Sequence, residues 1–161
     1  MRRNKVKNIV LYYKNIPDMV KFERKQQSEI ENEYYNGIRG LSTDGMVYGG
    51  APGKPTEKMG IRAAEDNRGE ALAEIQVRIK ILEADARQIR ECIDTMNSKY
   101  KTLIFWKLIH GYSWPKISTQ FCRPESTCRS WYDKALDRLG EILENDILMV
   151  DELVQRATRA R

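Results

Sequence analysis

Between Leu72 and Met96 the apolar residues recur at a spacing that a β-strand cannot use. Leu72, Ile75, Ile79, Leu82, Ala86, Ile89, Ile93 and Met96 follow one another at intervals of 3, 4, 3, 4, 3, 4 and 3 residues, with Glu, Arg, Lys and Gln between them. A strand repeats every two residues, whereas this 3–4 alternation keeps one narrow stripe on one side of an α-helix for more than three heptads. The spacing therefore predicts a long helix over 56–96, with Gly60 and Gly69 weakening its first turns. Its seam, Leu72, Ile75, Ile79, Leu82, Ile89 and Ile93, has two readings. It pairs with its twin in a homodimer, or it packs on residues 4–36 of its own chain, and periodicity leaves both open. On the dimer reading, aspartate at Ile79 and Leu82 separates the copies and leaves the rest folded.

The remaining segments also read as helices, so the fold class is all-α: N-terminal helices and the long heptad helix, followed by a C-terminal pair of helices joined by a turn. Val6, Ile9, Val10 and Tyr13 form an i, i+3, i+4, i+7 stripe over residues 4–15. Pro17 disfavours helix at Ile16, which predicts an interruption and then a second helix to about Asn36, with Met19, Phe22, Ile30 and Tyr34 apolar. Residues 37–55 hold six of the ten glycines and two of the five prolines. That density excludes a long helix and reads as a linker or loop, with Met46 to Tyr48 as a short extended segment. The linker is either a connector or an arm that touches DNA or a partner; a connector is the simpler account. Domain boundaries follow at 1–36, 37–55, 56–96, 97–144 and 145–161, with the terminal RATRAR frayed.

At 161 residues the chain is one domain or two small ones, and 41% apolar with 32% charged residues is ordinary for a helical protein. No apolar run approaches the ~18 residues of a membrane span. The start, MRRNKVKNIVLYYKN, lacks the uncharged core and small-residue cleavage site of a leader peptide. Cys92, Cys122 and Cys128 are irregularly spaced and His110 is the single histidine, so reduced thiols and no zinc site are expected. Reduced thiols fit a cytosolic setting, and neither a membrane partner nor a cofactor is expected. Two blocks are net positive: 1–55, with ten Lys/Arg and six Asp/Glu, and 97–140, where eight Lys/Arg face three Asp/Glu; 56–96 and 141–161 are each net negative. A phosphate-binding surface needs such a block, and a solvated basic face would also show it.

The second of these blocks contains Gly111 to Leu139, GYSWPKISTQFCRPESTCRSWYDKALDRL. Trp114 to Phe121 reads as a first helix with Ser113 as N-cap and Pro115 in its first turn. Cys122-Arg123-Pro124 makes a turn, and Pro124 opens a second helix whose inward positions are Cys128, Tyr132, Ala135, Leu136 and Leu139. Near its N-terminal end Glu125, Ser126, Thr127, Arg129 and Ser130 face outward, with Trp131 beside them. Arginine pairs bidentately with guanine, glutamate accepts from cytosine N4, and short hydroxyls serve bases or phosphates. These five are the candidate base-reading residues. Lys116, Arg123, Lys134 and Arg138 are the candidate phosphate contacts, a sequence-independent and salt-sensitive contribution.

From about Asp94 to Glu144 the chain resembles region 4 of bacterial sigma factors. Gly111, Ser113, Ile117, Ser118, Phe121, Thr127, Cys128, Ala135 and Leu139 stand at the matching places, over about a third of the chain. Two residues depart from that pattern: Cys122 replaces the usual turn glycine, and Pro124 replaces a Ser or Asn cap. As a whole, the chain is similar to phage late-gene activators of the ArpU/RinA type. That resemblance implies a prophage-encoded regulator that binds double-stranded promoter DNA and contacts RNA polymerase. A small terminase subunit and a sigma-like factor are the alternatives. Small terminase subunits usually carry their DNA-binding element near the N-terminus, and residues 1–55 look too short for a strand-melting module. An enzyme is the least expected class, since the chain has no P-loop, glycine-rich nucleotide fingerprint or nucleophile elbow. A single small helix-turn-helix rarely binds tightly alone, which adds weight to the homodimer.

Overall fold

The computed structural model describes residues 1–39, 55–147 and 150–160, with side chains described for 1–33, 67–147 and 150–160. The elements are α1 (Arg3–Arg39), α2 (Pro55–Asp94), α3 (Ser98–Ile104) continued by a π-helical turn (Phe105–Ile109), α4 (Trp114–Phe121), α5 (Glu125–Asp146) and α6 (Val150–Arg159). The all-α class holds, and no strand occurs among the described residues. The expected break at Pro17 does not occur: α1 runs through it. An internal proline costs about 3 kcal/mol through its missing N–H and its clash with the preceding turn. Val6, Ile9, Val10, Tyr12 and Ile16 are all buried on the same helix, at roughly 1.5–3 kcal/mol per large side chain, so burial outweighs the proline. The expected linker is shorter than its composition implies, because helix reaches Arg39 and resumes at Pro55. Met46 to Tyr48 lie outside the described residues.

The chain divides into two compact units, one of residues 1–17 with 83–161 and the other of residues 18–82. In the second unit α1 and α2 run antiparallel: Arg78 donates to Glu23 at 3.1 Å, and Ile30 and Ile75 line one shallow groove. The seam is covered here within a single chain. Ile75 and Leu82 are buried, and Leu72 and Ile79 are half-buried. Of the two readings left open by periodicity, packing on the chain's own N-terminal helix accounts for this burial. Phe22, Val77 and Ile81 are large apolar side chains that stay exposed.

In the first unit the remaining seam residues, Ile89 and Ile93, are buried with Met96. Polar tethers fix the long helices around α5. The Arg3 guanidinium forks onto Asp137 with two 2.6 Å bonds and also meets Asp133 at 3.3 Å. Gly140 lets α1 approach α5, since a Cβ there would lie 3.2 Å from Val6 Cγ2. The terminal segment is not frayed up to Arg159. Leu153 and Ala157 of α6 are buried, and Arg156 donates two 2.8 Å bonds to the carboxylate of Asp85. Asp85 is 3% exposed and also accepts from the Tyr12 hydroxyl at 2.9 Å.

Burial also sets an alkaline limit on this unit. It pushes the Cys92 thiol up to about 11, with Asp146 and Glu91 adding repulsion. Burial, with help from Asp133, pushes the Tyr132 hydroxyl up to about 12. Burial and then the bond to Asp85 raise Tyr12 as well. Each folded value exceeds the unfolded one, about 8.5 for a thiol and 10 for a phenol, so the folded state holds these protons more tightly. Their stabilisation is complete below the unfolded values and is lost as pH rises through the folded ones. The melting temperature is expected to fall progressively between about pH 9 and 12, and Tyr132→Phe should shallow the upper part of that decline. A flat profile in calorimetry across that range would contradict the assignment.

Candidate nucleic-acid interface

The long helix ends at Asp94, and Asn97 caps the next one by accepting from the Lys99 N–H at 3.0 Å. α3 widens at its end into the π turn, with His110 N–H donating to the Phe105 carbonyl at 2.9 Å. Gly111, at φ +68°, then reverses the chain, and the Tyr112 N–H returns to the Trp106 carbonyl at 2.8 Å. The widened turn contributes Trp106 to the core beneath it. Leu103, Ile117 and Cys128 form a buried centre, with Trp106, Tyr112, Trp114, Phe121 and Trp131 packed around it.

α4 spans Trp114–Phe121, as the sequence predicts, with Pro115 in its first turn. Ser113 stands at the N-cap position, but its side chain makes no capping bond. At the other end Cys122 adopts φ 50° and ψ 44°. The Cys122 N–H donates to the Thr119 carbonyl at 3.2 Å and the Arg123 N–H to the Ser118 carbonyl at 3.1 Å. These two bonds form the Schellman pattern, which usually places glycine at the left-handed position. The Ser118 hydroxyl reinforces the turn by donating to the Arg123 carbonyl at 2.6 Å. Pro124 is the N-cap of α5 rather than its first residue, and the helix begins at Glu125. A β-branched residue tolerates a left-handed conformation worst. Cys122→Val is therefore expected to destabilise by about 1–3 kcal/mol, while Cys122→Gly should not destabilise at all. Urea titration of both variants checks this, and equal effects would show that the turn carries no strain.

α5 docks through the inward residues predicted for it: Cys128, Tyr132, Ala135, Leu136 and Leu139 are all buried. The 3.6-residue repeat then sets Ser126, Ser130 and Lys134 farthest from the core, and all three are exposed. Glu125 and Thr127 are half-buried. Arg129 is exposed but lies on the flank facing α4, where its Nη2 meets Glu125 Oε2 at 3.3 Å and its Cζ lies 4.9 Å from the Trp114 ring centroid. Arg123 and Lys116 are exposed near the turn and on α4, with Lys116 Nζ 3.6 Å from the Tyr112 centroid. Farther along α5, Lys134 and Arg138 line an open groove of about 490 Å³ with Asn97 and Tyr100. Arg138 is paired with Glu141 at 2.8 Å.

The structure thus brings Glu125 and Arg129 together, sets Ser126 and Ser130 on the outward face with Thr127 half-buried, and carries Lys116 on α4 but Lys134 and Arg138 on α5. Two participants lie beyond sequence reasoning. Lys107 sits 4.9 Å from the Trp114 centroid and donates to the Tyr112 carbonyl at 3.0 Å. Lys99 sits 4.2 Å from the Trp131 centroid. The alternation of Lys with Trp and Tyr through 99–116 is the only signal in the sequence for this layer of cations on rings. Among the described residues no cluster of His, Cys, Asp or Glu could hold a metal ion, and no helix is long and apolar enough to cross a membrane. Protein-family models, curated proteins and solved structures were compared with the chain, and none matches it.

Proposed function

We propose that this chain is a sequence-specific regulator of transcription that binds double-stranded DNA through α4 and α5 as a helix-turn-helix. The observation that carries the reading is the N-terminal outward face of α5. Ser126 and Ser130 are exposed there, with Arg129 exposed on the α4-facing flank beside them, on a helix whose opposite face is locked into the core. In the proposed complex that face enters the major groove, and Glu125, Thr127 and Arg129 read bases together with the two serines. Lys116, Arg123, Lys134 and Arg138 contact phosphates on either side, with Arg138 exchanging Glu141 for DNA. The resemblance to phage late-gene activators extends the proposal to promoter binding, contact with RNA polymerase and action as a homodimer. No cofactor and no catalytic group enter it. A monomer at micromolar concentration in sedimentation would remove the homodimer.

Selection of bound duplexes from a random library, followed by footprinting, tests the reading. A defined motif is expected, and Arg129→Ala should cost about 1–3 kcal/mol on that motif while changing non-specific binding little. Sequence-independent binding, or an unchanged affinity of the variant, would overturn the assignment of α5. A footprint at a packaging site instead of a promoter would transfer the proposal to the small terminase class.

A further inference from the structure

We infer that Trp114 is a specificity-positioning residue, one that holds the Arg129 guanidinium in the orientation needed to read a guanine edge. The inference rests on the DNA-reading role of α5 and names the base chemistry of that site. An arginine on an exposed helix face samples many rotamers, and bidentate pairing to guanine O6 and N7 needs one plane of the guanidinium presented edge-on. Two contacts restrict Arg129 to few. Glu125 Oε2 accepts from one Nη2 hydrogen at 3.3 Å, and the Trp114 indole lies below the group with its centroid 4.9 Å from Cζ. A cation–π contact engages the ring face and no N–H···O acceptor, so the one Arg129 donor committed to a side-chain oxygen is the Nη2 hydrogen on Glu125.

The platform itself is held firmly. Trp114 packs on the buried centre of Leu103, Ile117 and Cys128. The Tyr132 ring meets it edge-on, with centroids 5.4 Å apart and planes at 77°. Lys107 lies within cation–π distance of the same ring. Trp114 reaches no base in this account and acts only through Arg129. Because α4 carries Trp114 and α5 carries Arg129, the angle between the two helices sets where the guanidinium edge points.

The test uses the motif selected by the full-length wild-type protein, together with duplexes in which each guanine of that motif is replaced in turn. Wild type should discriminate one guanine by roughly 5- to 150-fold, and Arg129→Ala should abolish that discrimination. Trp114→Leu should reduce the same discrimination by about 2- to 5-fold, the scale of an exposed cation–π contact, with non-specific affinity and salt dependence unchanged. The double variant should bind the motif no worse than Arg129→Ala alone. Trp114→Phe, which keeps an aromatic face and most of the packing, should fall between Trp114→Leu and wild type, and it stands in if the leucine variant does not fold. A uniform loss on all duplexes, a double variant weaker than Arg129→Ala, or a Trp114→Phe protein that discriminates like wild type would overturn the role of Trp114 alone. Failure of the wild-type protein to enrich any motif would overturn the DNA-reading proposal and this inference with it.

Discussion

Ile79→Asp combined with Leu82→Asp is expected to unfold the helical pairing of residues 18–82 and not merely to separate two intact copies. Leu82 is 7% exposed and Ile79 is half-buried within a single chain. A carboxylate at either position loses water and gains no partner, a cost of several kcal/mol per fully buried group. Together the two should remove more than about 4 kcal/mol, a large part of the 5–15 kcal/mol that holds a domain of this size. Far-UV circular dichroism should show lost helix, and urea titration a lower midpoint. Unchanged helix content with only a lower sedimentation coefficient would mean that the seam joins two chains after all.

Removing Arg156 is the second large effect. Asp85 is 3% exposed in the intact protein, and Arg156→Ala removes two of its three hydrogen bonds, leaving the Tyr12 hydroxyl. Breaking a buried pair in this way costs about 3–5 kcal/mol, while replacing both partners with apolar residues of similar volume is often neutral. Arg156→Ala should therefore destabilise by that amount and detach α6, whereas Asp85→Leu with Arg156→Met should recover most of the loss. Arg156 is partly exposed, and its pair with Glu152 at 3.5 Å on the same helix is a weak surface contact, so the effect belongs to Asp85. Hydrogen exchange on 150–160, measured with the denaturation midpoint, separates local detachment from global loss. A change within about 0.5 kcal/mol for Arg156→Ala would show that the tether is not needed.

Much of the candidate interface was legible because its signals are local. Gly111 and Pro124 punctuate the chain, and the apolar repeats that follow each of them locate α4 and the inward face of α5. Pro17 misled for the opposite reason: a proline rule describes the local backbone, and here the burial of five side chains on its N-terminal side prevailed. The Asp85 tether was illegible because Tyr12 and Arg156 stand 73 and 71 residues away from it. In hindsight one mark of it existed. Asp85 lies three residues after Leu82 and four before Ile89, so a carboxylate sits on the apolar side of the heptad helix.

Periodicity of 3–4 and 3.6 residues determined by itself that the chain is helical and that Cys128, Tyr132, Ala135, Leu136 and Leu139 of α5 turn inward. It did so because helical geometry relates neighbours three and four apart regardless of what lies across the interface. On α1, by contrast, it pointed to Tyr13 and Phe22, of which Tyr13 is half-buried and Phe22 exposed. What covers each stripe was decided only by the tertiary structure. A stripe of Leu and Ile is equally complementary to α1 and to a second copy, and only the packed chain shows that within one copy α1 lies across it. The same holds for Arg129. Its outward position was readable, but the indole and carboxylate that orient it come from the docking of α4 against α5, a relation that no local spacing encodes.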